Sequence, residues 1–277
     1  MSRTRAVDLC LSENSEKTQP VGSFPDGLRH GYWSGRKNIN CLKFLGRGVG
    51  KPSFQRGFPR VKLHMINDKM RVIGLTGGSG AGKGELSLCL MSYGIRVLDT
   101  DKVSRLVTAP GSRCLDELVE RFGEVILRED GRLDRHGLAR IVFAEPDPEA
   151  RKDKLTALNR ITHKHIIAEI NAWLEGRAKA GDTLAVVDAP QLFESGFDKH
   201  CDFIIGVIAD REVRIRRIVA RDGIDRTAAE KRIDSQHSDE FFTEHCDFVV
   251  YNNGGIDSLE GQTENILKKI NYDKIAR

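Results

Sequence analysis

Seven residues, Gly77-Gly78-Ser79-Gly80-Ala81-Gly82-Lys83, fit the spacing G-x-x-x-x-G-K. The chemistry such a run can do is to grip a polyphosphate. Glycines let successive backbone N–H groups point inward around phosphate oxygens, and the dipole of a following helix adds positive potential at its N-terminus. Lys83 would bring an ammonium to the β and γ phosphates. Gly78, Ser79, Gly80, Ala81, Gly82 and Lys83 are therefore candidate nucleotide-binding residues; the plainer reading is a glycine-rich turn. The position after the lysine ordinarily carries a Ser or Thr hydroxyl that ligates Mg²⁺, but here it is Gly84, followed by Glu85. Mg²⁺ keeps several waters, so a water or the Glu85 carboxylate can fill the vacant position. Alternatively, Glu85 is a solvated acid in the first helical turn, favoured there by the dipole.

Three acids and two arginines suggest what would be done with the phosphate. Asp99 and Asp101 follow the apolar run Ile95-Arg96-Val97-Leu98, and period-two alternation directs both to one side. Ligands of an open parallel sheet sit beyond the carboxyl ends of its strands. One of the two is thus placed to accept the proton of an attacking hydroxyl while helping to hold Mg²⁺, and the plainer reading is that Asp101 simply caps a helix beginning at Lys102. Asp188 ends another apolar run and reads either as an acid on the Mg²⁺ side or as a turn residue before Pro190. Segment 211–232 is strongly cationic, and four-residue spacing puts Arg217 and Arg221 on one helical face. A closing arginine there would stabilise charge on a transferred phosphoryl group, whereas its neighbours read as a solvated face. His163 lies in Thr162-His163-Lys164-His165, expected at the start of a helix, and no His/Cys pattern around it suggests a metal.

These residues need elements to position them. Short apolar strands are expected at 71–75, 95–98, 184–187, 203–208 and 248–251. Helical patterns occupy 83–93, with Leu86, Leu90 and Met91 at core spacing, then 102–180, 211–246 and 256–272. The long stretch is interrupted at Pro110-Gly111, Asp130-Gly131 and Pro146 to Pro148. Strands alternating with helices predict an α/β domain over 70–277 with a parallel five-stranded sheet covered on both faces. Residues 1–69 differ: they hold eight glycines, show no sustained periodicity, and carry 13 Lys and Arg against 5 Asp and Glu. They are expected to form a dispensable, disordered basic extension. The remainder carries 31 against 35, so the formal charge of +4 gives no case for a nucleic-acid-binding body. With 39% apolar and 30% charged residues and no apolar run of eighteen, a membrane span is excluded. Six cysteines without paired spacing favour a reducing compartment.

The order of motifs resembles the dephospho-coenzyme A kinase family, from about Met70 to Lys268. The phosphate loop comes first. Val97-Leu98-Asp99-Thr100-Asp101 is similar to the family's Asp-Ala-Asp, and Leu133-Asp134-Arg135 with Val142-Phe143 to its Leu-Asp-Arg and Val-Phe. His163 matches the histidine of its His-Pro pair, with Lys164 in the proline position. Asp188-Ala189-Pro190-Gln191-Leu192-Phe193-Glu194 resembles Asp-Val-Pro-Leu-Leu-Phe-Glu, with Gln191 a departure. Arg217, Arg221-Asp222-Gly223, Gln236 and Asn252-Asn253 fall where the family has its lid arginine, Arg-Asp, Gln and Asn.

The resemblance implies a three-layer P-loop NTP hydrolase-like fold with a helical acceptor-binding insertion and an arginine-bearing lid. It implies transfer of the ATP γ-phosphate, with Mg²⁺, to the 3′-hydroxyl of dephospho-coenzyme A. Asp101 would be the base, Lys83 and Arg217 its catalytic partners, and residues 78–85 with Arg221 the nucleotide side. His163, Asp188, Pro190 and Glu194 would face the acceptor, as would the departures Lys164 and Gln191; Asp101 and Asp188 would hold Mg²⁺. A cytoplasmic protein is expected, monomeric or a small homo-oligomer. A nucleoside monophosphate kinase of the same fold remains an alternative, as does a nucleotide-binding module impaired by Gly84-Glu85.

Overall fold

Each strand is a short apolar run closed by a residue that breaks it. In chain order they are β1 (Arg71–Gly77), β2 (Arg96–Asp99), β3 (Leu184–Asp188), β4 (Phe203–Ile208) and β5 (Phe248–Tyr251). The computed structural model describes residues 70–272. The extension expected over 1–69 lies outside the described residues. All pairings are parallel, in the order β2-β3-β1-β4-β5, so every strand ends at the same edge. β1 is central, and its neighbour β3 places Asp188 opposite Leu75 and Asp99.

Successive residues of the sheet feed different cores. Val72 and Val187 face one core with Leu118, Leu138, Ile161 and Ile170, while Ile73, Leu75 and Val186 face the other with Leu86, Leu90 and Leu267. That is a parallel sheet covered on both sides, as the unbroken apolar strands predict. The second core rests on α1 (Lys83–Ser92) and the closing helix. Within α1, Leu86 and Leu90 are buried, but Met91 is exposed and Cys89 takes the core position expected for it. The helix turns Met91 outward because residues one apart differ by about 100° around its axis.

The insertion between β2 and β3 consists of α2 (Thr100–Val107), α3 (Arg113–Phe122), α4 (Arg135–Phe143) and α5 (Pro148–Lys179). The breaks fall where Pro110-Gly111, Asp130-Gly131 and Pro146 to Pro148 stand. Ser112, Asp134 and Asp147 cap the helices that follow. Leu133-Asp134-Arg135 is a structural joint: Asp134 caps α4, and Arg135 donates to the Thr108 hydroxyl at the end of α2 at 2.5 Å. At 32 residues, α5 runs about 48 Å. His163 therefore sits in the middle of a helix rather than at its start. Nothing between Pro148 and Gly176 interrupts the helix, and of residues 162–165 only Lys164 is exposed.

After β4 come α6 (Arg211–Asp222), α7 (Arg226–Asp234) and α8 (Asp239–His245), and α9 (Ile256–Lys269) closes the described chain. Ile215, Ile218, Ala229 and Ile233 form a small cluster of their own between α6 and α7.

Candidate active site

The phosphate loop starts where β1 ends. Gly80 and Gly82 have φ of 78° and 91°, values that L side chains rarely adopt. A Cβ on Gly80 would also stand 2.6 Å from the Arg214 carbonyl oxygen. Gly82 precedes α1, so the loop delivers its amides directly onto a helix N-terminus. On this geometry the run is a cradle rather than a generic turn.

Lys83, the first residue of α1, forms an ion pair with Asp188 at the carboxyl end of β3. One turn further along α1, the Ser87 hydroxyl donates to the other Asp188 oxygen at 2.8 Å. Burial pushes the Asp188 carboxyl up, while the Lys83 ammonium and the Ser87 hydroxyl pull it down. Asp188 is thus a buried, doubly held acid, which removes the reading of it as an ordinary turn residue. The Thr100 hydroxyl donates to the Asp188 carbonyl at 3.1 Å and ties the start of α2 to the same edge.

The acids after β2 depart from the alternation expected of them. The strand stops at Asp99 and α2 begins at Thr100, so Asp101 lies on a helix and strand periodicity does not govern it. Asp99 is the cap: its carboxylate accepts from the Asp101 amide at 2.9 Å and the Lys102 amide at 3.3 Å. The capping reading of Asp101 is thereby corrected. The capping role lies two residues earlier, and the half-buried Asp101 stands in the first turn of α2.

On the other flank of the loop stands a set of side chains from distant parts of the chain. Arg217 donates to the carbonyls of Gly80 (3.3 Å), Ala81 (3.4 Å) and Asn252 (3.0 Å). The buried Asn252 amide donates to the Ala81 carbonyl at 3.0 Å and to the Glu85 carboxylate at 2.7 Å. Glu85 is therefore anchored toward the β5 side, whereas Asp188 lies on the β3 side of β1. It is nonetheless an exposed acid in the first turn of α1, as the plainer reading has it, and it is no partner of Asp188. Arg214, which is buried, donates to the Ser79 carbonyl at 3.0 Å and to Asp239 at 3.2 Å. Gln236 accepts from the Ser79 amide at 2.8 Å and donates to its hydroxyl at 3.2 Å. Arg221 is turned away from this group: it is exposed and pairs with Asp222 at 2.9 and 3.0 Å.

The candidate acceptor residues divide. His163 lines a cavity with Thr100, Ala189, Gln191, Ser195 and Phe197, and its buried Nε2 has no hydrogen-bond partner. Burial pulls the His163 imidazole below its ordinary value, which favours the neutral ring. Thr100, beside Asp101, connects this cavity to the acids. Gln191 belongs to the cavity as expected, but Lys164 does not: it is exposed and pairs with Glu117 at 2.9 Å. Four residues later in a helix means the same face, and one residue later means another. Pro190 is half-buried in the turn after β3. Glu194 is exposed and lies 3.3 Å from His237.

Among the described residues no cluster of three or more His, Cys, Asp or Glu side chains surrounds a metal position. The carboxylates at the strand ends, Asp188 with its neighbour Asp99 and Asp101 on α2, are hard oxygen donors. Such a sparse set fits Mg²⁺, which takes one or two protein carboxylates and otherwise waters and substrate phosphates.

Ser87, Arg214, Gln236 and Asn252 were not singled out as site residues from sequence. Gln236 and Asn252 stood at family-like positions; Ser87 and Arg214 carried no such signal.

Comparison with known proteins bears on the same residues. The family model described as CoaE: Dephospho-CoA kinase matches residues 71–258. A dephospho-CoA kinase of Corynebacterium glutamicum is 37% identical over 201 residues, 73% of this chain and 100% of its own length. One of Fusobacterium nucleatum subsp. nucleatum is 39% identical over 199 residues, covering 72% and 98%. Among solved structures, TT1252 from Thermus thermophilus is 30% identical with a TM-score of 0.61, covering 73% of this chain and 98% of that one. The dephospho-CoA kinase from Campylobacter jejuni, 24% identical with a TM-score of 0.52, covers 72% and 96% and shares the fold.

Proposed function

This chain belongs to the dephospho-CoA kinase family, and on that premise we propose how its own residues move phosphate from ATP to dephospho-CoA. The family's activity is ATP-dependent phosphorylation of dephospho-CoA in CoA biosynthesis. The observation that carries the assignment of roles is the convergence of Lys83, Asp188 and the start of α2 at one sheet edge.

The amides of residues 78–83 hold the triphosphate, and the Lys83 ammonium, now paired with Asp188, is drawn onto the β and γ phosphates. Asp101 accepts the proton of the acceptor's 3′-hydroxyl. The hydroxyl oxygen bonds to the γ-phosphorus as the bond to the β–γ bridging oxygen breaks, and ADP leaves with that electron pair. Arg217, already against the loop carbonyls, supplies positive charge to the transferring oxygens. Arg221 is assigned a secondary place on the nucleotide side, reached only if it leaves Asp222.

Asp188 and Asp101 would hold Mg²⁺, directly or through water, with residues 84 and 85 contributing backbone and no hydroxyl. When bound, the ion neutralises charge between the β and γ phosphates. On the acceptor side, His163 and the turn from Pro190 to Glu194 contact dephospho-CoA, His163 through a buried ring in a cavity it shares with Thr100, Gln191 and Phe197.

No helix of the described residues is long and apolar enough to cross a membrane. The described cysteines Cys89, Cys114 and Cys246 are free thiols, in keeping with a cytoplasmic setting.

The test is acceptor choice. The full chain is incubated with ATP, Mg²⁺ and either dephospho-CoA or a panel of nucleoside monophosphates, and ADP is followed. ADP is expected with dephospho-CoA alone. Comparable turnover on a nucleoside monophosphate would overturn the acceptor assignment, and ATP binding with no turnover on any acceptor would favour an impaired module.

A further inference from the structure

The loop lacks a hydroxyl where phosphate loops ordinarily have one, yet the site has a hydroxyl. Gly84 is exposed, and a Cβ built on it would meet nothing within 4 Å. No neighbouring group occupies the place of the missing side chain. Ser87, by contrast, is buried, and its only described bond is to Asp188 at 2.8 Å. Lys83 and Ser87 are four residues apart on α1 and so share a face; that face looks at the end of β3. The two oxygens of Asp188 are divided between them, Oδ1 to the ammonium and Oδ2 to the hydroxyl.

We propose that Ser87 is the positioning residue that stands in for the hydroxyl missing at position 84, orienting Asp188 for the metal-bound nucleotide from one helical turn further along. The idea rests on the reading of Asp188 as an acid on the Mg²⁺ side. A carboxylate near a cation has two lone-pair faces on each oxygen, and its rotation decides which of them is presented. Lys83 alone cannot fix that rotation once a triphosphate draws its ammonium away. The Ser87 hydroxyl, buried beside the sheet and independent of the nucleotide, can. Outer partners of this kind typically matter about 10- to 100-fold in metal affinity or activity.

The experiment uses three full-length proteins: the wild type, Ser87→Ala, and Ser87→Ala combined with Gly84→Ser. The open space at Gly84 and its place in the first turn of α1 allow a serine without strain. ATP binding is measured by calorimetry with and without Mg²⁺, turnover is measured as a function of Mg²⁺, and thermal melting is measured on all three. Ser87→Ala is expected to bind ATP alone as the wild type does. It should lose about 10-fold or more of the Mg²⁺-dependent gain in ATP affinity and need correspondingly more Mg²⁺ for half-maximal rate. Gly84→Ser should restore both. A purely structural Ser87 would lower the melting temperature without changing the Mg²⁺ requirement, and a hydroxyl at 84 would not repair that loss. Either an unchanged Mg²⁺ dependence in Ser87→Ala or a failure of Gly84→Ser to rescue it overturns the proposal. The calorimetry reads the same comparison whether or not the wild type phosphorylates dephospho-CoA, so failure of the acceptor assignment and failure of the Ser87 role are told apart.

Discussion

Asp101 and Asp99 stand two positions apart, and the structure gives them separable work. Asp99 caps α2 through two backbone amides, so Asp99→Ala is expected to cost about 1 kcal/mol of stability. For a domain of this size that is a drop of roughly 2–4 °C in melting temperature. Asp101→Asn keeps the cap and the side chain's planar shape but removes the proton acceptor. Turnover should fall by roughly 10²- to 10⁴-fold with melting unchanged. Near-normal turnover in Asp101→Asn would end the base assignment. His163 offers a test through pH. Its ring is held below the ordinary value of 6.5 by burial, so at mildly acid pH the unfolded chain binds more proton there than the folded one. Stability then rises with pH across the window between the depressed folded value and 6.5, and is lost as pH falls through it. His163→Gln should flatten that part of the curve of stability against pH. Identical curves for the two proteins would show that His163 does not titrate differently on folding.

At the scale of elements, helix α6 presents its arginines unequally. Arg217 reaches three carbonyls of the loop and of the turn after β5, whereas Arg221 pairs with its own neighbour at the surface. Arg217→Ala should therefore lower kcat by about 10³-fold or more, as loss of an arginine on a transferring phosphoryl does. Arg221→Ala removes an exposed pair of small net value and should change kcat several-fold at most. Equal losses would mean that the lid must rotate to use both. The elements themselves were largely legible: the strands, the Gly77 to Lys83 loop and the breaks in the insertion are local signals, written in apolar runs, glycines and prolines. The partners of the loop were not. Arg214 meets Ser79, and Asn252 meets Ala81, across 135 and 171 residues of chain, and one arginine in a cationic helix looks much like the next. Asp101 resembles a cap in the sequence because the helix starts two residues earlier than its apolar periodicity suggests. His163 was placed at a helix start because nothing in its four-residue neighbourhood reveals the 32-residue helix around it.

At the scale of the whole molecule, the question is what the first quarter of the chain contributes. Both flanks of the site, the sheet and the two cores are assembled within residues 70–272. The family match spans 71–258, and the Corynebacterium glutamicum relative is covered over its entire length by 201 residues of this chain. No residue assigned to ATP, acceptor or metal precedes Gly78. Residues 1–69 carry 13 Lys and Arg, and attraction between exposed charges weakens as salt rises. Their effect on an anionic nucleotide should therefore be greatest at low ionic strength, and appear in KM before kcat. Deleting residues 1–64 is expected to leave kcat, kcat/KM at physiological salt and the melting temperature unchanged. The comparison to make is of full-length and shortened proteins at about 0.15 M and 0.01 M salt. A shortened protein that melts earlier would place part of the core in the extension. One that melts normally but loses kcat at both salt concentrations would place part of the active site there.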